Sequence, residues 1–330
     1  MTHDLSTPDA RHPWLYRFAV LLTVATFPLI ASGGTVTSAA VGMVDPTWTF
    51  SPFNLLTPQG FTETAAKGIG WVIEHGHRQI GYLVGMMAIV LAVWTAVTQQ
   101  TLARKLLGFW VLLAVGTQGI LGATRIWSHA KPGVISMDLG RDIAMLHGVT
   151  GQLVLCLMAL TVAILGTGTT VGQEVPGGAR LRRVALLTTL VMVIQLVLGV
   201  FLRHLGGQTY LWLHLLLGIG VAAHVVLVYA RARKQPVMEV RRPAALMLAL
   251  LLLQVLLGVA AWWVGGGSGM AYLTEKLTNE RIVLTTAHQF LGALLLMTAA
   301  VTTFRAFRHL RQATQPQADM LPLQAAGVGA

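Results

Sequence analysis

The chain is poor in cysteine and in charge. One cysteine, Cys156, stands among 330 residues, inside an apolar run. A single thiol excludes an intramolecular disulfide. Charged residues make up only 11%, against about 25% in a soluble domain. With 55% hydrophobic residues and a mean hydropathy of +0.67, the composition excludes an ordinary soluble protein and predicts an integral membrane protein. Acidic residues are also scarce, 12 against 23 Lys and Arg, for a net charge of +11. A basic excess invites a nucleic-acid partner. A polytopic protein that keeps Lys and Arg on its cytoplasmic loops explains it better, so the expected surroundings are membrane lipid and no nucleic acid. The polar start, Met1 to His12, is followed by no small-residue cleavage context. The first span therefore reads as a retained helix rather than a signal peptide.

What the chain has in abundance is apolar runs near the roughly 20 residues that cross a bilayer. Eight qualify: Leu15–Thr35, Gly76–Val97, Lys105–Arg125, Ala144–Leu165, Val184–Leu202, Tyr210–Tyr229, Ala244–Val264 and Ile282–Phe304. Placing the N-terminus inside puts about two thirds of the 23 Lys and Arg on the inner segments, among them Arg104, Lys105, Arg180, Arg182, Arg183, Arg231, Arg233 and Lys234. The bias predicts both termini in the cytoplasm of a multi-pass cell-membrane protein. Gln118-x-x-Leu-Gly122 recurs at Gln195–Gly199 and Gln254–Gly258 on the odd spans. The expected fold is all-α: eight transmembrane helices as two homologous four-helix bundles related by pseudo-two-fold symmetry. A cytoplasmic tail (1–14) precedes the N-terminal bundle (15–170), which carries a long outer loop at about 36–75. A cytoplasmic linker (171–183), the C-terminal bundle (184–307) and a disordered cytoplasmic tail (308–330) follow.

The second repeat carries chemistry. His77/Gly81, His147/Gly151, His214/Gly218 and His288/Gly292 each open an even-numbered span, at intervals of roughly 70 residues. On the chosen topology all four lie at the outer face. A lone His in a membrane helix is commonly a packing residue, and a Gly there allows close helix approach. That explanation does not account for a His before each Gly. Residue i+4 lies one turn along the same helix face, where Gly leaves room for a flat macrocycle on the His. Imidazole suits iron, zinc and copper alike. One His per helix, with its partner a helix away, fits axial haem ligation in a bundle core best. Arg78, Arg125, Arg203 and Arg281 stand near the outer ends, placed either to receive haem propionates or to snorkel to the interface.

The halves differ. Glu74 stands three residues before His77, on the same helix face. The matching position before His214 is Leu211, and Glu280 is too far from His288 to share a turn. One site is equipped for proton handling, and the other for plain electron transfer. His75 is out of phase with His77. His224 is roughly 15 Å deeper than His214, with no matching inner-side His. His129 and His204 are expected in outer loops, and His3, His12 and His309 in the tails.

Glu74-x-x-His77-Arg78, His147-Gly148, His214, His288 and the Gln-x-x-Leu-Gly repeats together resemble the haem A synthase family, bacterial and mitochondrial, over about residues 15–307. The first outer loop lacks the cysteine pair some members carry, so the chain resembles the cysteine-free type. The resemblance implies an oxidoreductase that oxidises the C8 methyl of haem O to a formyl group, giving haem A for terminal oxidases. It implies haem b between His214 and His288, substrate haem O near His77 and His147, and Glu74 as the catalytic carboxylate. Haem O would be delivered by a haem O synthase, and electrons would leave to an unidentified acceptor. A homo-oligomer is compatible. The competing readings are a non-catalytic di-haem cytochrome in quinol-linked electron transfer, and a membrane transporter or haem chaperone.

Overall fold

The computed structural model describes residues 12–45, 57–130, 137–166, 172–265 and 278–312. Its helices are α1 (Pro13–Ser38), α2 (Pro58–Lys67), α3 (Ile69–Thr98), α4 (Leu102–Ala130), α5 (Met137–Gly166), α6 (Gly178–Leu205), α7 (Gln208–Ala232), α8 (Met238–Val264) and α9 (Asn279–His309). All but α2 are long and apolar enough to cross a membrane. The chain is an all-helical multi-pass membrane protein. In hydrocarbon every backbone donor and acceptor must be satisfied within the segment, which a helix does. Threonine hydroxyls follow the same rule. Those of Thr23, Thr26, Thr95, Thr298 and Thr302 donate to the carbonyl four residues earlier.

Each half packs on its own core. Leu15, Leu22, Val84, Ala88, Leu91, Val111 and Met158 form one. Leu181, Ala185, Val225, Val228, Met247, Leu295 and Ala299 form the other, joined by Cys156 of α5. The neighbours also correspond. The contacts α1–α3, α3–α4, α4–α5 and α1–α5 have counterparts in α6–α7, α7–α8, α8–α9 and α6–α9. Across the halves α9 packs on both α1 and α5.

Three local features differ from the sequence expectation. The segment expected to be a long outer loop contains α2, started by Pro58 and by the Thr57 side chain, which accepts from Gly60 N–H (3.1 Å). Thr-Pro is a helix-start signal that the low apolarity of the segment hides. Helix α3 begins at Ile69, so Glu74 and His77 lie inside a helix rather than at its mouth. His129 and His204 belong to the last turns of α4 and α6, not to loops. At the end of the bundle where α9 finishes, β1 (Gln173–Val175) pairs in parallel with β2 (Leu310–Gln312), tying the link before α6 to the end of α9. Between α6 and α7 only Gly206 and Gly207 intervene, with φ of 68° and 94°. Glycine takes these left-handed values without a Cβ penalty.

Candidate functional site

The four histidines converge in two pairs. The ring centres of His77 (α3) and His147 (α5) are 6.4 Å apart. Those of His214 (α7) and His288 (α9) are 6.3 Å apart. Two imidazoles sharing one metal, each nitrogen about 2.0–2.1 Å from it, place their ring centres about 6.4 Å apart. The spacing of both pairs therefore fits a single axially bound iron. Among the described residues no three His, Cys, Asp or Glu side chains gather to hold a metal by themselves. Two imidazoles at this spacing suit two-point axial ligation, the mode a haem needs.

Each ring is seated by glycine on a neighbouring helix. A Cβ at Gly33, Gly122, Gly199 or Gly258 would lie 2.8, 3.7, 3.1 and 3.0 Å from Cε1 of His77, His147, His214 and His288, respectively. The contact is reciprocal. A Cβ at Gly151, Gly218 or Gly292 would lie 3.4, 3.3 and 3.1 Å from the side-chain amides of Gln118, Gln195 and Gln254. So the His-x-x-x-Gly and Gln-x-x-Leu-Gly repeats are two sides of one joint: His rests on Gly, and Gln rests on the other Gly. The glycines of the histidine helices thus face glutamines, a role the sequence reading did not give them. The joint occurs a fourth time. Leu29-x-x-x-Gly33 on α1 occupies the Gln-x-x-x-Gly position, with Leu29 against Gly81 (3.9 Å to its Cβ site). The Leu hides this copy from a motif search, though the Gly33-Gly34 pair near the outer end of α1 marks it.

Polar partners orient the rings. His288 Nδ1 donates to the Gln254 carbonyl (3.2 Å), and its Nε2 accepts from the Gln254 side-chain amide (3.3 Å). Gln195 Nε2 donates to the His214 carbonyl (2.9 Å), and Gln118 Nε2 to Thr150 Oγ1 (2.7 Å). His77 Nδ1 lies 3.1 Å from Ser32 Oγ. These seats predict a graded result. Gly258→Leu is expected to displace His288 and cost most of the b-type absorbance of the purified protein. Gly220→Ala, with nothing within 4 Å of its Cβ site, is expected to leave the spectrum unchanged.

Among the described residues, only one pair has a buried carboxylate on its own helix. Glu74 is buried, accepting from Arg78 (2.6 Å) and from the Asp45 N–H (3.0 Å). Arg78 also donates to the Asp45 carbonyl (2.9 Å). Asp45 was not foreseen. Its side chain is held by Trp71 Nε1 (3.4 Å) and faces His75 Nε2 (3.4 Å), whose ring stacks on Trp71 at 3.9 Å. His75 thus turns away from the pair, as its phase predicts, and with Trp71 holds Asp45 over the acid. Near the second pair, Glu280 is exposed.

The arginines divide by surroundings. Arg78 is committed to Glu74 and Asp45. The Arg125 guanidinium lies against Gly42, whose Cβ site is 3.2 Å from both terminal nitrogens. Arg281 Nε lies 3.7 Å from the Cβ site of Gly265. Arg203 reaches out of its own half to α1 and α9, donating to Gly34 O (2.7 Å), Ser38 Oγ (2.5 Å) and Gln289 Oε1.

Comparison with known proteins follows the same lines. The family model described as cytochrome oxidase assembly protein (COX15-CtaA) matches residues 51–212, which takes in Glu74, His77 and His147. A heme A synthase of Methylobacterium radiotolerans is 31% identical over 151 residues, covering 44% of this chain and 38% of the relative. One from Exiguobacterium sp. is 25% identical over 276 residues, covering 78% of this chain and 85% of the relative. Another, from Exiguobacterium sibiricum, is 26% identical over 193 residues, with 58% and 59% covered. The chain thus spans well under half of the first relative and most of the second. With the motif order, the eight spans and the paired histidines in hand, these matches show a chain similar to heme A synthases and, over residues 51–212, to the cytochrome oxidase assembly family model.

Proposed function

We propose that this chain is a haem A synthase, an oxidoreductase that converts haem O to haem A by oxidising the C8 methyl to a formyl group. The observation that carries the reading is the asymmetry of two like-spaced imidazole pairs, of which only the His77/His147 pair has a buried acid, Glu74, on its own helix. In this reading His77 and His147 hold the substrate and His214 and His288 hold haem b. Haem b, when bound, supplies one-electron redox chemistry. Arg125 and Arg281 receive propionates. The two halves act as bundles at 15–170 and 184–307, with both termini cytoplasmic and both sites near the outer face.

Turning a methyl into a formyl group with oxygen from water releases electrons and protons in equal number. Protons leaving a membrane-embedded site need an acceptor fixed in place. Glu74 is fixed by two donors, the Arg78 guanidinium and the Asp45 N–H. Trp71, His75 and Asp45 cover it from the outer side. Haem O would come from a haem O synthase in the same membrane, and electrons would pass to an acceptor outside the chain, with a homo-oligomer compatible with this scheme.

The test is pigment extraction. Cells that make haem O and express this protein are expected to yield haem A on chromatography, and the detergent-purified protein a low-spin b-type spectrum. Haems B and O alone, with bound haem in the protein, would instead identify an electron carrier. A purified protein without haem would identify a transporter or chaperone.

A further inference from the structure

The two histidine pairs belong to different halves, yet one side chain joins them. Arg203, on α6, donates to the carbonyl of Gly34 and the hydroxyl of Ser38, both on α1. Its other terminal nitrogen donates to Gln289 on α9. Gly34 follows Gly33, the residue on which the His77 ring rests, and Gln289 follows His288. Ser38 also meets Thr285 and Thr286 of α9 at 3.1 and 3.0 Å. Fit at this crossing is tight. A Cβ on Gly34 would come within 2.9 Å of Gln289 Oε1 and 3.2 Å of Thr286 Cγ2.

A guanidinium inside a membrane protein is costly to keep and usually functional. A structural tie alone could be made by neutral side chains. The charge is therefore the feature to explain. Its place, against the residue beside His288 and one contact further from His77, sets the fixed positive charge closer to the second pair. A fixed cation favours whichever redox state of a neighbouring iron carries less positive charge.

We infer that Arg203 is the positioning residue that couples the two histidine pairs: it ties the His77 seat to the residue beside His288, and its charge raises the reduction potential of the group held by His214 and His288. This rests on the haem-ligand assignment proposed above. The role is electrostatic and positional, and no bond is made or broken. A higher potential at the second pair draws electrons away from the substrate side.

The test uses the full-length protein in detergent. The readouts are the midpoint potential of the b-type signal by optical redox titration and the haem A content of the expressing cells. Arg203→Gln removes the charge and is expected to lower the midpoint and reduce haem A several-fold. Arg203→Lys keeps the charge without the planar fork and is expected to stay nearer the wild-type midpoint than Arg203→Gln. Gln289→Glu leaves Arg203 in place and sets a carboxylate against it, so it too is expected to lower the midpoint. If Arg203→Gln does not fold, Gln289→Glu decides alone. Midpoints equal to wild type in both, with haem A still made by the wild type, would overturn this inference and leave the proposed function standing. A wild type that binds haem but makes no haem A would overturn the proposed function, while shifted midpoints in the variants would still support the role of the charge.

Discussion

Glu74→Gln is expected to stop haem A formation while leaving the b-type spectrum intact. Glutamine keeps the shape of the acid and an oxygen to accept from the Asp45 N–H, but it takes up no proton. Positioned acid–base catalysis is worth about 10²–10⁴-fold in rate, so haem A extracted from cells should fall to the limit of detection. Alanine is the poorer choice. The side chains of Glu74 and Arg78 are only 4% and 9% exposed, and stripping one partner from a buried ion pair costs roughly 3–5 kcal/mol. Loss of function in Glu74→Ala would then mix misfolding with chemistry. The spectrum separates the two cases, because the second histidine pair lies in the other half with its own core. Wild-type haem A from Glu74→Gln would remove the acid from the mechanism.

His214→Ala and His288→Ala are each expected to abolish the low-spin b-type absorbance. The two rings stand at a spacing that one iron bridges, so neither alone supplies six-coordinate ligation. His77→Ala and His147→Ala act in the other half and are expected to retain that signal while haem A is lost. A b-type band that survives His288→Ala would show that the iron is held elsewhere.

Much of this site was legible in the sequence because it is repeated. Three of the four His–Gly, Gln–Gly joints are spelled out by identical residues, and their pairing across helices follows from membership in adjacent spans. The copy on α1 was not legible, since Leu29 replaces the amide and only the helix contact reveals that Gly33 does for His77 what Gly258 does for His288. Glu74 was found through its spacing from His77 on one helix, whereas Arg78 was read as a propionate or interface arginine and its pairing with Glu74 was missed. Asp45 was missed because its role runs through its backbone N–H and carbonyl, and backbone groups leave no signature in residue identity. Arg203 was placed at the correct end of its helix, but its partners sit on α1 and α9. Contacts between elements distant in sequence are set by packing, which composition and periodicity do not encode. The short α2 shows the opposite limit. Its start is written in Thr57-Pro58, yet its weak apolarity gives no periodic stripe to find.

The Gly206-Gly207 joint turns α6 straight into α7. With no slack there, α7 is geared to α6. Inserting one residue would rotate α7 by about 100°, swinging the His214 imidazole off Gly199 and out of register with His288. Helix α9 instead follows a connection of many residues, from Gly265 to Thr278, and His288 is seated by Gly258 of α8. The two histidines of this pair are thus placed differently: His214 is indexed by its hinge, and His288 by the helices it packs against.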